Sequence, residues 1–153
     1  MDELSHVDYL AENVQRLIDE RFCGKMVGLS RFAHVDKGAI ARMRTGKPCR
    51  LLTVDRVAQA CGLTIGDIFL KPGTQTDWYR EAKLCHLSAN LEAITQEQGI
   101  LLDDVADEIG RPHGSLDRYL SGHWFPQTNT LRLMAEALDE EVADLFLPPN
   151  GGE

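Results

Sequence analysis

The feature that most constrains this chain is an internal repeat. Residues Leu29–Gly46 align with Val105–Gly122 at a constant offset of 76. Leu29 then falls on Val105, Ala33 on Ile109, Ile40 on Leu116, Met43 on Tyr119 and Gly46 on Gly122. Downstream the offset becomes 77, and Val54, Val57, Ala58, Cys61, Ile65, Ile68 and Phe69 fall on Leu131, Met134, Ala135, Leu138, Val142, Leu145 and Phe146. Upstream it is again 77, pairing Asn13-Val14 with Asn90-Leu91 and Leu17 with Ile94. Few identities survive while the apolar frame persists, which is the mark of two copies of one fold. A length of 153 residues accommodates two very small units. The expected organisation is a first unit over 1–71, a linker over 72–80, a second unit over 81–148 and a tail over 149–153.

Each copy reads as a helical bundle. Leu10, Val14, Leu17 and Ile18 step at helical spacing, as do Leu87, Leu91 and Ile94. Val54, Val57, Ala58 and Cys61 form another stripe closed by Gly62, and Thr53 and Thr130 stand where N-caps are expected. No sustained period-2 alternation is present, so the fold class is all-α. Within each copy, two short helices joined by a tight turn follow from the pattern. Copy two has the cleaner version: Ala106 where the helices cross, Gly110 at the turn, Pro112 in the first turn of the second helix, Leu116 and Tyr119 inside, Gly122 at the end. Copy one has Ser30 and His34 where copy two has Ala106 and Gly110.

On these residues both copies resemble the Cro/CI-type helix-turn-helix domain, also called the XRE or lambda-repressor-like fold, over about residues 8–70 and 85–147. The resemblance implies two tandem five-helix domains, each ending in an apolar helix and a short closing one: Val54–Cys61 then Ile65–Phe69, and Leu131–Leu138 then Val142–Phe146. It implies a transcriptional regulator of phage or bacterial origin, a repressor that occupies operator DNA as a homodimer. The second unit and the closing helices around Ile65–Leu70 and Val142–Leu147 are the expected dimer surfaces. Met26 stands where the family commonly carries a phosphate-holding Gln, and His34 where it carries a turn Gly.

Charge separates the copies. The formal net charge is −8, which as an average speaks against a polyanionic partner. Resolved along the chain it is −4 over 1–24, +6 over 25–50, −2 over 51–98, −3 over 99–126 and −5 over 127–153. The basic block carries Lys25, Arg31, Lys37, Arg42, Arg44, Lys47 and Arg50 against the single acid Asp36. Residues 99–126 carry Arg111 and Arg118 against Asp103, Asp104, Asp107, Glu108 and Asp117. Phosphate contacts dominate DNA affinity, so double-stranded DNA is expected on copy one. The resemblance gives base reading to Asp36, Lys37, Gly38, Ala41 and Arg42, with Lys37 and Arg42 suited to guanine edges. Phosphate contacts fall to Lys25, Arg31, Arg44, Thr45, Lys47 and Arg50. His113, Arg118 and His123 offer weak second-unit contacts. The alternative is a protein-interaction module, antitoxin- or antirepressor-like, whose acidic second unit binds a protein. Trp124-Phe125 and Trp78-Tyr79 are candidates for an interface or for packing.

Other classes find little support. No apolar run nears the ~18 residues of a membrane span, and no export signal is visible, so a cytoplasmic protein is expected. Cys23, Cys49, Cys61 and Cys85 include no CxxC pair, and neither metal nor cofactor is expected. Cys61 reads as core; Cys49, among basic residues, reads as a thiol of lowered pKa and a redox candidate. The acids Asp103-Asp104 and Asp139–Glu141 read as solvated helix starts. His6, His34, His86, His113 and His123 are dispersed, and no catalytic motif occurs, so no enzyme is expected.

Overall fold

A computed structural model describes residues 9–72 and 79–148. The described residues are all-α, with no named strand. Seven α-helices are present among them: α1 (Leu10–Arg21), α2 (Met26–Ala33), α3 (Lys37–Arg44), α4 (Leu51–Ala60), α5 (Leu87–Gln98), α6 (Leu102–Ile109) and α7 (Thr128–Leu138). Short 3₁₀ turns occupy Asp67–Phe69, Leu84–His86, Asp117–Ser121 and Val142–Phe146. The expected tail over 149–153, and all of the expected linker except Pro72, Tyr79 and Arg80, lie outside the described residues.

The repeat is visible in hydrogen bonds as well as in apolar residues. Asn13 is buried on α1 and its Nδ2 donates to the carbonyls of Ile68 (2.8 Å) and Leu70 (2.6 Å). Seventy-seven residues on, Asn90 donates to Leu145 (2.7 Å) and Leu147 (2.8 Å). Each Asn thus ties the first helix of its half to the closing turn, satisfying carbonyls that a short 3₁₀ turn leaves open. Arg21 donates to the Cys61 carbonyl (2.7 Å), and Gln98, its counterpart, to that of Leu138 (2.7 Å).

Helix ends follow the same rule. His34 (φ 57°) ends α2 and Gly110 (φ 77°) ends α6, both left-handed. The next N–H donates back in each case, Val35 to Ser30 (3.0 Å) and Arg111 to Ala106 (2.8 Å). Thr53 and Thr130 are not caps. Arg50 and Gln127 hold those positions, and α4 and α7 begin three residues earlier than the cap pattern suggests. Thr128, wholly buried, instead accepts the Cys49 N–H at its Oγ1 (2.9 Å).

The two halves share one hydrophobic core. Phe69 and Phe146 stack with centroids 6.1 Å apart and planes 11° from parallel. Arg50 and Gln127 form an antiparallel bridge, and the Thr128 N–H donates to the Cys49 carbonyl (2.9 Å). Tyr79 packs in the seam against both halves, its hydroxyl donating to Asp144 (2.6 Å) and its carbonyl accepting from Thr64 Oγ1 (2.8 Å). Gly66 is needed there: a Cβ would stand 2.9 Å from Ala82 Cβ and 3.0 Å from the Tyr79 ring. The closing turns expected as dimer surfaces therefore face each other inside the chain, with Ile65, Ile68, Leu145 and Phe146 fully buried. Trp78 lies outside the described residues.

Candidate nucleic-acid interface

The basic block folds into α2, a two-residue turn after His34, and α3. Leu29, Ala33, Val35, Ala39, Ile40 and Met43 turn inward and anchor the pair, so the polar positions between them face outward. Lys25, Arg31, Asp36, Lys37, Gly38, Arg42, Arg44, Thr45, Lys47 and Arg50 are all exposed and Ala41 is half-buried. The exposed residues of this segment thus include seven cations and one acid.

The single acid is already occupied. Asp36 is the N-cap of α3, its carboxylate accepting the Gly38 N–H at 3.0 Å. Gly38 leaves room for that cap, because a Cβ there would stand 2.8 Å from Asp36 Oδ2. Lys37 and Arg42 project from the start and middle of α3, and no hydrogen bond or ion pair within the described residues engages either side chain. Arg44 is held: its Nε donates to Gln15 Oε1 on α1 at 2.8 Å, and a guanidinium nitrogen lies 3.6 Å from the Met26 sulfur. Gln15 gave no signal, since its partner lies 29 residues away. Thr45 turns its hydroxyl to the Ala41 carbonyl (2.8 Å), closing α3. Lys25 precedes an uncapped α2, so a cation and the positive end of a helix coincide. Arg50 sits at the seam between the halves.

The equivalent segment of the second half contains no α-helix. Residues 113–116 are turns and Asp117–Ser121 is 3₁₀, so Pro112 does not open a helix and copy two is the less regular of the pair. Gly114 lies at φ 82°, and its N–H is taken by Asp103 (2.8 Å) from α6. His113 stands against Asp107 (2.7 Å) and Asp103 (3.8 Å); the hydrogen bond and charge of Asp107 push its pKa up. Asp103 is thus a structural acceptor. Asp104 does cap its helix, accepting the Leu101 N–H at 2.8 Å. Arg118, His123 and His113 are exposed.

Cys49 corrects another expectation. It is 3% exposed, and burial pushes its thiol pKa up, outweighing the nearby Arg42 and Arg132. Its Sγ points at the Lys47 carbonyl (3.2 Å). Cys61 is core, as its spacing implies. Among the described residues no group of three or more His, Cys, Asp or Glu could hold a metal ion, and no helix is long and apolar enough to cross a membrane.

No protein-family model, curated protein or solved structure matches the chain.

Proposed function

We propose that this protein is a sequence-specific DNA-binding transcriptional regulator, a repressor that occupies an operator through α2 and α3 of its first half. The observation that carries this reading is a coincidence of charge and shape. The one basic block of an acidic chain spans two short helices joined by a tight turn, with Arg31, Lys37, Arg42 and Arg44 on the helices, Lys25, Lys47 and Arg50 flanking them, and all seven exposed. This is the helix-turn-helix arrangement, in which the second helix enters the major groove. The resemblance of both halves to lambda-repressor-like domains supports the same reading.

In it, Lys37 and Arg42 donate to guanine O6 and N7, the commonest specific contact. Asp36 holds α3 in register for them. Lys25, Arg31, Lys47 and Arg50 neutralise phosphates and position the module without reading sequence. No chemistry is needed, because occupancy of a promoter is the output.

The test is an anisotropy titration on the DNA upstream of its own gene at two salt concentrations. Saturable binding with a steep salt slope is expected, near −0.9 in log K against log [salt] for each phosphate neutralised. A Lys37→Ala/Arg42→Ala variant should lose roughly thirtyfold or more, from about 1 kcal/mol or more per base contact. Binding that survives the double substitution sinks the assignment of α3.

A second reading places a protein partner on the acidic half. Leu101 (70% exposed), Leu120 and Trp124 (60%) are outward apolar residues. The first two line a cleft of about 340 Å³ that also carries Glu92, Asp103 and Asp117. That chemistry suits an apolar, basic segment. Loss of regulation in cells by a Leu120→Asp variant that still binds DNA would favour it, and unchanged regulation would remove it.

A further inference from the structure

Three observations bear on how many chains such a regulator brings to DNA. The first is that equivalent residues touch one another. Arg50 bridges Gln127 in antiparallel fashion, and Phe69 stacks on Phe146, each pair 77 residues apart. When a residue meets its own counterpart at two separate places, the two halves are related by an approximate twofold axis, as in an isologous dimer. One asymmetry in the seam has a simple origin. Cys49 gives its N–H to Thr128, but Pro126, its counterpart, has no N–H to give.

The second observation is that this seam uses up the closing surfaces. Ile65, Ile68 and Phe69 of one half and Val142, Leu145 and Phe146 of the other are all at most 3% exposed. The face that would otherwise pair two chains is covered by the chain itself.

The third is that only one half keeps a helix at the reading position. In the second half, Gly114 at φ 82° interrupts the segment, while Asp103 and Asp107 hold its backbone and His113. Those carboxylates stand where a phosphate-facing surface would need cations.

We propose that the chain is a single-chain pseudo-dimer with one reading half, taking one DNA site without dyad symmetry and one chain per site. The inference rests on the DNA-binding reading above. It departs from the homodimer on a near-palindrome that the family resemblance implies.

The experiment uses the full chain. Its mass in solution is measured by sedimentation equilibrium, its site is selected from a random duplex library, and stoichiometry is titrated on that site far above the dissociation constant. The expected result is the mass of one chain, a selected motif without an inverted repeat, and a break point at one chain per duplex. An inverted repeat occupied by two chains would overturn the proposal and leave the DNA-binding reading standing. A stable dimer of the free chain would overturn it as well. Absence of saturable binding to any duplex would overturn both, so the two failures are distinguishable.

Discussion

Residues 37–44 and 113–121 occupy equivalent places in the two halves, yet one is α-helix and the other turn and 3₁₀. Their inward residues correspond, with Ile40 and Leu116 both buried. The difference lies in the polar residues at the start. Asp36 caps α3 from within its own segment, and three alanine and isoleucine positions then carry the helix forward. Pro112 offers no side-chain cap, and Gly114 takes the left-handed conformation that only glycine reaches freely. Asp103 then captures the N–H that a helix would have used elsewhere. An apolar frame holds a segment against the core without dictating its backbone.

The sharpest way to break the comparison is at the point where the halves agree. Phe69→Ala and Phe146→Ala each remove half of the stacked pair and should each cost about 3–5 kcal/mol of unfolding free energy. Denaturant titration checks this; a small loss in either would mean that the halves are not joined by this seam.

Next come the equivalent asparagines. Asn13→Ala and Asn90→Ala each strand two closing-turn carbonyls, at about 1–3 kcal/mol. Because Asn13 is the more buried, its loss should be the larger. The reverse order, by chemical denaturation, would show that burial does not set the cost here.

The turn offers a substitution pair of opposite sign. Gly110→Ala forces a Cβ into a left-handed position and should destabilise by about 1 kcal/mol. His34→Gly relieves the same strain in the other half, so a gain of a few tenths to about 1 kcal/mol is expected, less the extra chain entropy of glycine. Thermal melting of both variants decides it.

The smallest effect is electrostatic. His113 should titrate above the usual ~6.5, because Asp107 and Asp103 favour its charged form. Its contribution to stability is then fully present below that ordinary value and lost as pH rises through the raised one. An NMR titration should find the elevated midpoint, and Asp107→Asn should return it towards 6.5. An unmoved midpoint would dissociate His113 from α6.

Much of the architecture was legible because it is local and periodic. The stripes of α1, α4, α5 and α7 and the buried Cys61 follow from spacing and residue type, and the turn at His34 from the family resemblance. The basic block was equally readable, since charge is additive along a chain. Thr53 and Thr130 misled because a threonine before an apolar run fits both a cap and a first helical turn. Cys49 misled because burial, which local sequence does not report, outweighs the cations that stand near it.

By itself the sequence determined that the chain is helical, that its apolar frame repeats, and where its positive charge lies. The helices and the charged block depend on residues within a turn or two of one another, and the repeat is one such local pattern laid on another 76 or 77 residues away. Only the tertiary structure decided that Phe69 meets Phe146, that Arg50 meets Gln127, and that Asp103 unmakes the second helix. Those contacts join residues 11 to 77 positions apart, and no local periodicity encodes which of several apolar or acidic surfaces will meet. The consequence is large: one repeat became two unequal halves facing each other across a single seam.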